Sequence, residues 1–233
     1  MDQQEGADLG PGAAGADAEV AAELAAERHQ RRLEVITVVL LALAALATAW
    51  SGYQASLWDG NQSSSYTQAS SARTEAAQQR TEANEHRLGD LTLFENFVNA
   101  TIAGDEFEAQ FYRDRFTPTL LPAFEAWIAL EPFDNPAAPP SPFAMSEYQL
   151  PQDAEADRLE ALADELFQTG EYANTVSDVY TLTTLLFAAV LFFAAIAERF
   201  SILRAQVFLI SLAALGLIVG LVIAFGQPIT TGS

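Results

Sequence analysis

From Leu33 to Trp50 the chain reads LEVITVVLLALAALATAW, an apolar run with one charge, Glu34, and no proline. Coiled into a helix, that run is long enough to cross roughly 30 Å of hydrocarbon. Two further blocks have the same character: YTLTTLLFAAVLFFAAI from Tyr180 to Ile196, and VFLISLAALGLIVGLVIAF from Val207 to Phe225. A chain of 233 residues that gathers its apolar side chains into three such blocks does not distribute them as a soluble core requires. The expectation is an all-α membrane protein of three transmembrane helices, with a long helical extracytoplasmic insertion between the first and second.

Arginine sets the expected orientation, because basic residues in short flanks stay on the cytoplasmic side. Arg28, Arg31 and Arg32 precede the first span, and Arg199 and Arg204 sit in the short turn between the second and third. This places the N-terminus in the cytoplasm and the C-terminus outside it. The domains expected are then a disordered acidic tail (1–16), a cytoplasmic helix joined to the first span (17–53, Asp17 its N-cap), an extracytoplasmic helical domain (54–177), a hairpin of spans two and three (178–226) and an extracytoplasmic tail (227–233). A rival reading takes Arg31, Arg32, the apolar run and the Ala45–Ala49 small-residue pattern as a cleavable signal peptide. Against it, the charged region starts late, the apolar run is long, and helix-forming sequence continues past the would-be cut.

Net charge is −20, and every basic residue is arginine. A chain so acidic repels nucleic acid and anionic headgroups, so no nucleic-acid partner is expected. Cysteine is absent, which excludes disulfides and thiolate-based metal sites.

After the first span, SGYQASLWDGNQSSSYTQASSARTEAAQQR keeps helix-forming composition and loses hydrophobicity, so one helix should continue out of the bilayer. Ala55, Trp58, Gln62, Tyr66, Ala69, Ala72, Ala76, Gln79 and Ala83 recur at spacings of three and four, a heptad-like stripe of the coiled-coil type, built from small or polar residues. From Leu88 onward the stripe turns apolar, through Leu91, Phe94, Phe97 or Val98, Ile102, Phe107, Phe111 and Phe116, and that face should be buried. Pro118 should open a short helix offering Leu121, Phe124, Trp127 and Leu130. Residues 132–151 read as an extended, polyproline-like connector. Helical character then resumes with Leu159, Leu162, Leu166 and Phe167, and Gly170 is a candidate bend. Two long helices should therefore pack antiparallel, capped by the Phe-rich segment.

Chemistry finds little purchase. His29 and His86 fall on opposite sides of the membrane in this topology. The serines Ser63–Ser65 and Ser70–Ser71 lack a GxSxG turn. Two carboxylate groups, Asp105, Glu106, Glu108 and Asp114, and Asp153, Glu155, Asp157 and Glu160, lack the EF-hand order and read as solvated helix faces. Neither catalytic residue, cofactor nor metal is expected. Trp50, Tyr53, Trp58, Tyr172 and Tyr180 suit the headgroup zone. Gly216 and Gly220 form a GxxxG spacing that permits close helix contact, either within the bundle or between copies.

Taken together, TAWSGYQASLWDGNQSSSYTQASSARTEAAQ, RFTPTLLPAFEAWIALEPFDNPAAPPSPFAMSEYQL and SDVYTLTTLLFAAVLFFAAI resemble a family of uncharacterised bacterial three-span membrane proteins. The resemblance implies the same span plan and a bacterial cytoplasmic membrane location. It implies no activity and no functional residues.

The expectation from sequence is a non-enzymatic scaffold or interaction module, embedded in the lipid bilayer and assembling with copies of itself or with a membrane-protein partner. Its candidate contact residues are Trp58, Gln62, Tyr66, Ala69 and Ala72, with Gly216 and Gly220 in the membrane. An oligomeric cation-permeable channel is the alternative, its vestibule acidic and its pore lined by hydroxyls. A membrane-bound enzyme ranks third.

Overall fold

The structure is a computed structural model that describes residues 11–200 and 202–231; the side chains of residues 11–23, 25, 26 and 29, His29 among them, lie outside the description. The described residues form helices and no strand: α1 (Pro11–Ala103), α2 (Glu106–Arg113), α3 (Leu120–Ile128), a short 3₁₀ turn (Pro142–Ala144), α4 (Pro151–Ala197) and α5 (Leu203–Phe225). Of the tail read as disordered, residues 1–10 fall outside the description. α1 begins at Pro11, ahead of the expected cap Asp17; proline suits a first helical position because its φ is already helical and its missing N–H is not needed there. Two compact units divide the chain, one of Met1–Gln62 with Tyr172–Ser233 and one of Ser63–Glu171, so α1 and α4 contribute to both.

The first unit is a three-helix bundle with its polarity inverted relative to a soluble protein. Its interior is small: Ala44, Ala47, Ala194 and Ala213 are buried, filled in by Leu40, Phe187, Val190 and Leu217. Its exterior is large and apolar, with Leu46, Leu182, Leu185, Phe208, Val222 and Phe225 all more than 60 % exposed. In water such a surface would aggregate; in hydrocarbon it is the favourable arrangement, and small interior residues then let the helix backbones approach. Three helices here are long and apolar enough to cross a membrane, compatible with a multi-pass membrane protein. The hydroxyls of Thr37 and Thr48 fold back on their own helix, to the Leu33 and Ala44 carbonyls, and thereby satisfy themselves without water. Because α4 runs antiparallel to α1 and α5, Arg28, Arg31 and Arg32 come to the same end of this unit as Arg199 and Arg204.

In the second unit, residues of α1 and α4 pair with opposed numbering. Tyr66 stacks on Phe167, Arg73 pairs with Asp164 at 3.2 Å, Arg80 with Asp157 at 2.5 Å and Arg87 with Asp153 at 2.7 Å. The three arginines recur every seventh residue and flank a seam of small side chains, Ala69, Ala72, Ala76 and Ala83 against Ala156, Leu159 and Ala163, all buried. Alanine at the seam brings the helices close, while the exposed ion pairs contribute mainly to register. Gly170 does not interrupt α4, whose helical assignment continues through it. Its bare Cα instead makes room for Tyr66, since a Cβ there would lie 2.5 Å from the ring carbon Cε1.

Past Leu88 the expected continuous apolar face does not form. Gly104 adopts φ of +73°, which ends α1, and the Asp105 carboxylate restarts the chain by accepting the Glu108 N–H at 2.9 Å. The restart rotates the later residues, so Phe107 is 84 % exposed and Phe111 is exposed as well; Leu91 and Ile102, ahead of the break, lie off the face of α1 that buries Asp90 and Ala100 and are exposed too. Phe94, Phe97 and Phe116 do turn inward, and with Leu120, Phe124 and Trp127 make an aromatic cluster. Leu130, Leu162 and Phe167 lie on the outside.

Proline does not open the short helix. α3 starts two residues after Pro118, at Leu120, whose N–H donates to the Thr117 hydroxyl. The 132–151 segment is folded back rather than extended. Its Pro139 carbonyl accepts the Trp127 indole N–H at 2.7 Å, Pro142 is buried, and Phe143 sets its edge against Phe94 and Tyr148. Aromatic side chains at 143 and 148 bury enough area against α1 and α3 to override the extended preference of the prolines. α4 takes over at Pro151, the last residue assigned to the connector.

Candidate interaction site

Of the contact residues singled out from sequence, all but Gln62 are placed against another part of this chain. In the first unit, Trp58 sets its ring edge-on to Tyr172 at 5.9 Å, and its indole N–H donates to the Pro228 carbonyl at 3.1 Å. Gln62 is half-buried. In the second unit, Tyr66 lies on Phe167 and its hydroxyl donates to Glu171, while Ala69 and Ala72 are buried in the seam with α4. The glycine pair serves the α4–α5 hairpin. A Cβ on Gly216 would stand 2.9 Å from a methyl of Val190, and one on Gly220 would overlap the Phe187 ring.

That packing makes a direct test of what the GxxxG spacing is for. Replacing Gly220 by valine drives a side chain into a fully buried ring, and overpacking of this kind costs about 1–3 kcal/mol. Thermal melting of the detergent-solubilised protein is expected to fall clearly for Gly220→Val and less for Gly216→Ala. A changed oligomeric mass with an unmoved melting curve would assign the glycines to contacts between copies instead.

Sequence reasoning passed over Gln54 and the tail. Gln54 sits on the buried face of α1 with Ala47, Ser51 and Ala55, and a glutamine on such a face needs partners for both ends of its amide. It finds them on Thr230: its NH₂ donates to the carbonyl and its oxygen accepts the N–H, both at 3.2 Å. Tyr180 adds its hydroxyl to the Pro228 carbonyl at 3.3 Å. The polar ends of Trp58 and Tyr180, read as headgroup anchors, are thus spent on the C-terminal segment. Trp50 and Tyr53 remain outward-facing, as such anchors would be.

Asp90 was also missed. It falls on the every-seventh-residue line of Ala69, Ala76 and Ala83 and is equally buried, at 1 % exposure. One carboxylate oxygen accepts the Thr117 hydroxyl at 2.7 Å and the other the Tyr148 hydroxyl at 2.9 Å, tying α1 to the start of α3 and to the connector. Burial, and next the bond to Asp90, raise the Tyr148 phenol well above its ordinary range.

The acidic groups are otherwise engaged with arginine or solvent. Asp153 and Asp157 face Arg80 and Arg87, and Arg158 holds the Glu155 carboxyl below its usual range. Among the described residues no three His, Asp or Glu side chains converge as a metal site. Outward-facing apolar residues of the second unit include a pair on α2. There Phe107 and Phe111 lie one turn apart, with Glu106, Glu108 and Asp114 around them and the Arg115 guanidinium over one face of Phe111.

No protein-family model, curated protein or solved structure matches the chain.

Proposed function

We propose that this chain is a non-enzymatic integral membrane scaffold: a three-helix anchor presenting residues 63–171 outside the cytoplasm as an acidic helical interaction module. The arginines gathered at one end of the first unit support that end as the cytoplasmic one. The observation that carries the interaction role is α2. An isolated exposed leucine needs no explanation, but two phenylalanines one turn apart on a short amphipathic helix, 84 % and 44 % exposed, lie outside the core.

Native mass spectrometry from mild detergent tests the reading. The wild-type chain is expected to carry additional copies or a stoichiometric second subunit. The double variant Phe107→Ser/Phe111→Ser is expected to lose that mass while melting within a degree or two of wild type, because both rings are already outside the core. Retention of the full assembly by the double variant would remove α2 from the interface. Cation flux through liposomes carrying the purified protein would replace the scaffold with a channel.

A further inference from the structure

The residues that follow α5 are held through their main chain. α5 stops at Phe225 and Gly226 caps it; then Pro228 and Thr230 both turn their main-chain groups towards α1 and α4, while Ile229 between them points outward at 56 % exposure. Main-chain contacts at alternate residues, 228 and 230, are what an extended segment offers to a neighbour. All four hydrogen bonds from Gln54, Trp58 and Tyr180 land on main-chain atoms, two of them converging on the Pro228 carbonyl and two forming a paired donor–acceptor bridge with Thr230. None lands on a tail side chain. Gln54 thereby does what a neighbouring β-strand residue would do, from a helix. The donors and acceptor are built in rather than borrowed: Gln54 is 1 % and Tyr180 0 % exposed, and Trp58 is braced by Tyr172.

We propose that Gln54, Trp58 and Tyr180 form a peptide-binding notch. Its ligand class is an extended segment with proline at the first contacting position, and residues 228–230 occupy it in cis until such a segment from a partner protein displaces them. Proline fits that first position because the notch asks only for its carbonyl, and a fixed φ lowers the entropy cost of holding the segment extended. The second position must offer both an N–H and a carbonyl to the Gln54 amide. The tail of another copy is a poor competitor. Its Pro228 lies three residues beyond Phe225, the end of α5, a reach of about 10 Å, so it enters the notch of another copy only if that α5 packs directly against the notch. A free segment of another protein has no such tether. Displacement would be controlled by the tail's effective concentration, on the order of millimolar for a short tether, so the resident tail sets a threshold that the partner must exceed. The proposal concerns the first unit and does not depend on the α2 surface.

The test uses the chain ended after Gly226 and a fluorescein-labelled peptide GQPITTGS, read by anisotropy in detergent. The shortened protein is expected to bind the peptide saturably, the full chain at least about tenfold more weakly because its own tail competes, and the shortened chain carrying Gln54→Leu also at least about tenfold more weakly, having lost two hydrogen bonds. Absence of saturable binding by a folded shortened chain, or binding indifferent to Gln54→Leu, would overturn the proposal. Should the shortened chain fail to fold, the full chain provides the second arm. It has no cysteine, so a nitroxide at Ile229→Cys reports the tail alone. Gln54→Leu, and separately millimolar unlabelled peptide, are each expected to mobilise that label. A label unmoved by either would overturn the notch as an exchangeable site.

Discussion

Phe124→Ala is expected to destabilise the second unit by about 3–5 kcal/mol, the range for truncating a buried aromatic side chain. Phe124 is 2 % exposed and sits where three segments meet: its ring lies 5.0 Å from Phe97 of α1 and 5.0 Å from Phe116, both edge-to-face, with Trp127 a turn away and the Arg113 guanidinium 5.7 Å over it. Such aromatic contacts add to the area buried, so the upper part of the range is expected. Denaturation followed through Trp127 emission, in a chain whose Trp50 and Trp58 are replaced by phenylalanine, reads the loss, with Phe107→Ala as a matched control expected to stay within about 0.5 kcal/mol. A loss below about 1 kcal/mol for Phe124→Ala would mean that the aromatic cluster decorates the helices rather than fastening them together.

The contrast between those two phenylalanines shows where periodicity stops being informative. Helical spacing located the alanine seam, because an uninterrupted helix carries one face for as long as it lasts. It also located the apolar spans, where length and the absence of charge suffice. It failed at Phe107 and Phe111, since one glycine at positive φ and one capping aspartate reset the helical phase beyond Ala103. A spacing counted across that break assigns residues to a face that no longer exists. The connector was misjudged for a related reason: its prolines bias the local backbone, whereas Phe143 and Tyr148 act through partners distant in sequence. Likewise Gln54 and Thr230 are 176 residues apart. Composition marks a buried glutamine as needing partners, but only the folded chain says which.

Asp90→Ala should cost about 2–4 kcal/mol, although alanine is the residue that the seam would accept there. Ala69, Ala76 and Ala83 occupy the equivalent positions at 1 %, 1 % and 0 % exposure, so the substitution brings no clash and the loss is one of hydrogen bonding. A carboxylate accepting two hydroxyls makes charge-assisted bonds, and its removal strands Thr117 and Tyr148, which are only half-buried and regain part of the loss from water. Thr117 also accepts the Leu120 N–H, so the first turn of α3 should loosen with it. The same node predicts an alkaline limit. Folding raises the Tyr148 phenol, so the folded state holds a proton that the unfolded chain releases from its ordinary pKa of about 10 upward. The stabilisation is complete below that pH and is lost as pH rises through the folded value. Tyr148→Phe should therefore melt lower than wild type at pH 8, for want of the Asp90 bond, and close the gap as pH is taken above about 10. Equal melting curves at both pH values would show that the Asp90–Tyr148 bond does not hold the connector. A low cost for Asp90→Ala would return position 90 to the alanine seam that its spacing resembles.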